Sequence, residues 1–544
     1  MAGVQVSSRF LAGVCCLGAL SGCGGDDGGG GGTKDIAFAE PGSLSSSAGK
    51  GSFRFGAASA ATQIEDQNTN TDWYVFTQPK AQGGLGHGSF VGEAAKGYTK
   101  ALEDVALISS LGLDSYRFSI EWARVEPKRD QIDEAALTHY GKFIDALLAA
   151  GIRPVITLHH FSNPVWVDDP RDIECVNGPT DQNLCGFGHP QGGALVIEEF
   201  AEHAKLVAER FGDRVDDWGT VNEPINYLVA SHMVGAFPPG KSYLTALVDK
   251  FVPVVKDYAA GHVAAYDALK AADQKDADGD GEVASVGLSL AVADWVPSRL
   301  GKPSDDPEDV AARDRLELFF HHLFVDALIE GGFDNDLDGK LEESLPAFKG
   351  KLDWLGLQYY FRAGVTGKGG LLTALGLTPC FSTFDFGACV EPIDPSYCVP
   401  TMGYEHYPPG LERLLGVFSK RYPGLPLVVS ESGIATELGE RRAENIVRAL
   451  EHIDAARKSG VDVRGYYHWS LYDNFEWAEG FVPRFGLYHT DYQTYERTPT
   501  LGADVLGQIS KGRKLSGALR AKHGGTGPMT TEGTPPDEGA CEKY

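Results

Sequence analysis

Positive charge is scarce in this chain of 544 residues. Lys and Arg together number 48 against 75 Asp and Glu, a formal net charge of −27. Such a surface repels phosphate backbones and anionic headgroups, which excludes nucleic acid and anionic membrane surfaces as partners. Other signals are missing too. No cysteine has metal-ligand spacing with histidines, which removes a zinc site. No strand is followed by GxGxxG or another phosphate-binding glycine loop, which argues against a dinucleotide fold. There is no internal repeat. What the chain does have is 42% apolar residues, enough for a sizeable core.

The first 22 residues read as a signal peptide rather than as part of the fold. Arg9 is their only cation, and the apolar run 10–20 is too short to span a bilayer as a helix. The run ends in Leu20-Ser21-Gly22-Cys23, which resembles a bacterial lipoprotein lipobox. That implies cleavage before Cys23 and lipidation of its sulfur; an ordinary cleaved signal is the alternative. Residues 23–50 read as a Gly/Ser-rich flexible tether. The protein is therefore expected to be exported to the cell envelope, touching membrane only through this anchor. Six cysteines remain, and an even number in an exported chain suggests disulfides. Cys175 and Cys185 bracket a Gly/Pro/Asn loop and form the first expected pair. Cys380, Cys389, Cys398 and Cys541 leave three pairings open.

From residue 51 to 511 eight short apolar runs alternate with amphipathic stretches. The runs span 53–59, 115–120, 154–159, 217–222, 284–291, 352–359, 426–430 and 463–469. They are rich in Val, Ile, Leu, Tyr and Phe without strict alternation, as strands buried on both faces are. The helical stretches include 95–111, 134–150, 194–211, 307–329 and 440–458. Eight β/α units predict an α/β fold, a closed (β/α)₈ barrel in a single large domain with long βα-loop insertions. An open doubly wound sheet is the alternative architecture. Residues 512–544 read as a loosely ordered polar tail.

Two glutamates close apolar runs: Glu223 in Thr220-Val221-Asn222-Glu223-Pro224 and Glu431 in Ser430-Glu431-Ser432-Gly433. Strand C-termini are where barrel enzymes keep reactive groups, and glycosidic cleavage uses two carboxyls. In these flanking sequences the pair resembles glycoside hydrolase family 1, the β-glucosidase-like retaining glycosidases, over roughly residues 52–507. The resemblance implies Glu223 as general acid/base and Glu431 as nucleophile. It implies Arg117, in Tyr116-Arg117-Phe118-Ser119, beside the nucleophile, and Tyr360, in Gln358-Tyr359-Tyr360, bonded to it.

The same resemblance assigns the sugar contacts. Gln63, in Ala61-Thr62-Gln63-Ile64-Glu65, and His160, in Leu158-His159-His160-Phe161, would grip the glycone, and Asn222 its 2-hydroxyl. The run Trp469-Ser470-Leu471-Tyr472-Asp473-Asn474-Phe475-Glu476-Trp477 implies Trp469 as platform, with Glu476 and Trp477 on the outer hydroxyls; Phe485 would line the pocket. A carboxylate at 476 would repel a sugar phosphate, so an unphosphorylated glycone is expected. The chain departs from the family pattern at Gln358, Ser432, Phe161 and Ser162-Asn163.

These readings predict a retaining β-glycosidase acting on small β-glycosides or oligosaccharides, β-glucosides foremost, with no cofactor required. A transglycosylase on the same site and an inactive surface carbohydrate-binding protein are the alternatives. Asp276, Asp278 and Asp280, and separately Asp334, Asp336 and Asp338, resemble the start of calcium loops. Both lack the closing Glu, with Gly287 and Leu345 in its place, so a solvated acidic turn is the competing reading for a structural calcium.

Overall fold

The computed structural model describes residues 33–380 and 388–532. The expected signal peptide, the lipidation site Cys23 and Cys541 lie outside them. Eight parallel strands form a closed barrel: β1 (Arg54–Ala58), β2 (Ser115–Ser119), β3 (Arg153–His159), β4 (Asp217–Asn222), β5 (Ser285–Arg299), β6 (Trp354–Thr366), β7 (Leu427–Ser432) and β8 (Val463–Trp469). Each pairs with its successor in the chain, and β8 returns to β1 through Gly465 opposite Arg54. The closed sheet excludes the doubly wound alternative.

Every residue of β1, β2, β4, β7 and β8 is buried. One face packs inside the barrel and the other against the helices, which is why these strands lack alternation. Helices follow the strands in turn, among them Gly97–Leu111, Glu134–Ala149, Gly193–Phe211, Val252–Ala272, Pro409–Arg421, Gly439–Lys458 and Leu501–Gly512. The helix Glu134–Ala149 starts where the Asp133 carboxylate accepts from Ala135 N and Ala136 N, two donors that the helix itself leaves unpaired. No helix among the described residues is long and apolar enough to cross a membrane.

Three expectations change. First, β5 and β6 are longer than their apolar runs. They continue past the barrel rim as a two-stranded wall, pairing Arg362 with Asp294 through Val365 with Pro297 beyond a register shift. Second, the spacer is shorter than predicted: Ile36–Ala37 pairs with Lys514–Leu515, and Ile36, Phe38 and Leu44 are buried. Third, residues 512–532 of the expected tail pack onto the barrel domain. Gly517–His523 is helical, and Arg448 donates to the carbonyls of Gly527 and Pro528 at 2.7 and 3.0 Å. Main-chain carbonyls satisfied by buried arginines hold this segment where composition alone suggested a loose chain.

Between described residues two disulfides are formed, Cys175–Cys185 as expected and Cys380–Cys389, which belongs to one of the three open pairings. Cys398 is also disulfide-bonded.

Candidate active site

The two glutamates meet in one cleft at the C-terminal end of the barrel, a cavity of about 940 Å³ that Glu223, Glu431, Asn222, Gln358 and Tyr360 all line. Glu431 is carried by β7. Glu223 follows β4 and precedes Pro224, which disfavours a helical conformation at residue 223. It adopts φ 42° and ψ 60°, the left-handed region, and its N–H donates to Ser289 O at 2.7 Å. Phe161 (φ 64°) and Trp477 (φ 49°) also line the cleft in left-handed conformations. Costly backbone states of non-glycine residues gather at functional sites, where the surrounding fold holds them.

Glu431 is fully engaged. Arg117 Nη1 donates to its Oε1 at 2.6 Å and the Tyr360 hydroxyl to its Oε2 at 2.7 Å. The other guanidinium nitrogen of Arg117 donates to Asn222 Oδ1 at 2.6 Å, and so does Gln358 Nε2 at 2.8 Å. One arginine thus ties the β7 carboxylate to the residue beside Glu223. The longer Gln358, a departure from the family pattern, completes the clamp on Asn222.

Glu223 differs. Its carboxyl accepts from Asn226 Nδ2 at 2.6 Å, and it has no ion pair among the described residues. Burial and the negative charge of Glu431 push it up to about 8. Burial also raises Glu431, but Arg117 and the Tyr360 hydroxyl oppose that rise directly. The setting thus favours a proton on Glu223 and supports the charge on Glu431, the kind of asymmetry that an acid and a nucleophile require.

The sugar-side residues also converge. Gln63 Nε2 donates to Phe475 O at 2.8 Å and to Glu476 Oε2 at 3.3 Å. Gln63 Oε1 and His160 Nδ1 are buried and have no hydrogen-bond partner among the described residues. His160 is held well below the usual imidazole range by burial and by Arg117, so its ring is neutral. It stacks with Trp469 at 5.9 Å and with Trp477 at 6.0 Å between centroids. Glu476 is pushed up to about 8 by burial and by Glu431. Phe485 packs edge-on against Tyr360 at 5.8 Å. The result is an aromatic floor with buried, unpaired acceptors above it, the surface that a pyranose ring and its hydroxyls present in complement.

The model for glycosyl hydrolase family 1 matches residues 48–513. The chain belongs to glycosyl hydrolase family 1. A β-galactosidase from Pyrococcus woesei is 30% identical over 493 residues, which cover 82% of this chain and 94% of that protein. Among solved structures, a β-glycosidase from Pyrococcus horikoshii superposes with a TM-score of 0.72 at 29% identity, covering 90% of this chain and 99% of that one. A rice β-glucosidase mutant in a covalent complex with Glc gives 0.68 at 25% identity, covering 84% and 97%. Membership makes this chain a retaining β-glycosidase on a (β/α)₈ barrel.

Several cleft residues carried no sequence signal. Asn226 sits one turn after Glu223 on the short helix Pro224–Leu228, and that spacing could have singled it out. Phe237, Phe320, Phe361, Met402 and Tyr404 come from loops, a helix and strands outside the barrel that only folding brings near. Two departures from the family pattern turn away from the cleft into its support. Ser162 donates to Glu121, and Asn163 to Asp72 and Tyr227.

The acidic loops lie before β5 and β6, at the N-terminal end of the barrel and away from the glutamates. In the first, Asp276 and Asp278 converge with Asp216, and Asp280 stands outside the group. Asp278 there pairs with Arg153 at 2.6 Å. In the second, Asp334, Asp336 and Asp338 converge with Glu342, and Asp338 pairs with Lys340.

Proposed function

We propose that Glu431 is the nucleophile and Glu223 the acid/base of a hydrolase for terminal, unphosphorylated β-glycosides, β-glucosides foremost. The observation that carries this assignment is the unequal setting of the two carboxyls. Arg117 and Tyr360 bind Glu431, while Glu223 has only an amide. Glu431 attacks the anomeric carbon as the bond to the aglycone oxygen breaks, and Glu223 donates its proton to that oxygen. Water then gives a proton back to Glu223 and displaces Glu431, releasing the sugar with net retention.

Glu431→Gln is expected to lose aryl β-glucosidase activity by on the order of 10⁴-fold or more. Glu223→Ala should regain turnover of a nitrophenyl β-glucoside when azide is added, yielding the β-glycosyl azide. Near-normal activity of Glu431→Gln, or an α-azide product, would reverse the assignment. Glu476, an acidic residue bonded to Gln63 where a phosphate would need a cation, supports a glycone without phosphate, and the relatives named for β-glucoside and β-galactoside hydrolysis support the two candidate sugars. A panel of nitrophenyl glycosides decides between them.

Export and lipidation at Cys23 belong to the same reading. The charged start, the short apolar run and Leu20-Ser21-Gly22-Cys23 support it, and disulfides suit an oxidising compartment. Cys23→Ala should move the protein from the detergent to the aqueous phase on Triton X-114 partition. If native protein and variant partition alike, there is no anchor at this residue.

A further inference from the structure

Asn226 stands on the border between the catalytic cleft and a second, outer chamber of about 990 Å³ walled by the extensions of β5 and β6, and it lines both. We propose that Asn226 is a positioning residue for Glu223: its amide occupies one carboxyl oxygen, so that the other carries the catalytic proton, and it supports the carboxylate when Glu223 turns base. The inference rests on the acid/base reading of Glu223.

The short helix Pro224–Leu228 presents Asn226 to the acid through its own packing. Pro224, Ile225, Tyr227 and Leu228 are buried, and Asn226 between them is half-buried. Tyr227 stacks on Phe161 at 5.5 Å, its hydroxyl accepts from Asn163 at 2.8 Å, and its N–H donates to Glu223 O at 2.9 Å. The chain runs on into a π-helical turn, Val229–Val234, where Ser231 donates to Tyr227 O at 2.7 Å. Asn226 is thus held with its Nδ2 at 2.6 Å from Glu223 Oε2. An amide N–H donates and does not accept, so a proton on Oε2 would break that bond. The proton of the acid form belongs on Oε1, which accepts no hydrogen bond among the described residues.

The same bond serves the second half of the cycle. Around Glu223 stand Glu431 on β7, Arg117 on β2, Tyr360 on β6, and Glu476 and Glu479 after β8, with the neutral ring of His160 in the same cavity. Burial, Glu431 and Glu476 favour the protonated acid, whereas Asn226 and Arg117 favour its charged form. When Glu431 forms its bond to the sugar it loses its charge, and with it the main charge that keeps a proton on Glu223. Arg117 is engaged at Glu431 Oε1 and at Asn222. Asn226 is then the direct donor that supports the carboxylate while Oε1 takes a proton from the attacking water.

The test compares two substrates on the full-length enzyme: 2,4-dinitrophenyl β-glucoside, whose leaving group needs no acid, and methyl β-glucoside, whose leaving group does. Asn226→Leu is close in shape and removes the donor. With the dinitrophenyl substrate kcat, limited by release of the sugar from Glu431, should fall about thirtyfold, and kcat/KM less than about threefold. Azide attacks without a base, so it should restore kcat and yield the β-glucosyl azide. With methyl β-glucoside kcat/KM should fall about tenfold near neutral pH, because the proton is no longer confined to Oε1. Its alkaline limb should move upward, because losing a bond to the charged form raises the pKa of Glu223. Asn226→Ala, smaller than either side chain, is the second variant and should show the same split. Equal losses in kcat and kcat/KM on both substrates without azide rescue, or rates and limbs like those of the native enzyme, overturn the positioning role. If azide still rescues Glu223→Ala, the acid/base reading stands without it. If azide does not, that reading falls and the inference with it.

Discussion

Two chambers share one boundary and follow opposite rules. In the inner one, around Gln63, His160, Asn222 and Glu476, polar side chains crowd the wall, and Gln63 Oε1 and His160 Nδ1 have no hydrogen-bond partner among the described residues. In the outer one, the charges of Arg362 and Glu405 neutralise each other, and the surface is aromatic and aliphatic. Buried polar groups without partners cost stability, so a fold keeps them where a ligand repays the deficit. The inner chamber therefore offers a guest hydrogen bonds, and the outer one mostly ring and aliphatic surface. Damage to the first should fall on every substrate, and damage to the second only on those that reach it.

The sharpest break in that contrast is Arg117→Met. It strips the cation from Glu431 and releases Asn222, and kcat should drop on the order of 10³-fold for every glycoside. A loss limited to one aglycone would mean that the inner chamber does not act as a unit. Gln63→Ala should cost roughly 10²-fold in kcat/KM, again regardless of aglycone, because it removes glycone contacts and one of the two amide donors to Glu476.

Tyr360→Phe should cost about tenfold near neutral pH and should also move a pH limb. Glu223 must hold its proton; its pKa is raised to about 8, so kcat/KM falls as pH rises through that value. Glu431 must be ionised, so activity falls as pH drops through its pKa. Tyr360 favours the ionised form, and losing its hydroxyl raises that pKa and shifts the acidic limb upward. An unmoved acidic limb would show that the phenol does not act on Glu431. Smallest of all, Phe361→Ala should lower kcat/KM less than about tenfold, for bulky aryl glucosides and not for methyl β-glucoside; its uniform effect would merge the two chambers into one.

The inner chamber was largely legible beforehand because the runs that flank its residues resemble glycoside hydrolase family 1, and those runs are barrel strands buried on both faces. Glu223, Glu431, Arg117, Asn222 and Trp469 all lie on or directly after barrel strands. The outer chamber was not. Past Ala291 and Tyr359 the strands leave the barrel. The segment Asp294-Trp295-Val296-Pro297-Ser298 mixes charge, proline and hydroxyl, as a one-sided wall exposed to a cleft does. The spacer and tail misled for a related reason: composition reports what a segment could do alone, and here buried arginines and a two-residue strand pair recruit it.

The order of eight strands and the sulfur pairing at Cys175 and Cys185 followed from local pattern, and the identity of the paired acids from the resemblance of their flanking motifs to a known family. Periodicity and loop bracketing are properties of contiguous chain. How Cys380 and Cys389 pair, how burial and Arg117 set the two glutamates apart and where a second chamber opens belong to the folded structure. Those depend on burial and on charges and rings delivered from strands far apart in the chain, and no stretch of sequence contains that distance.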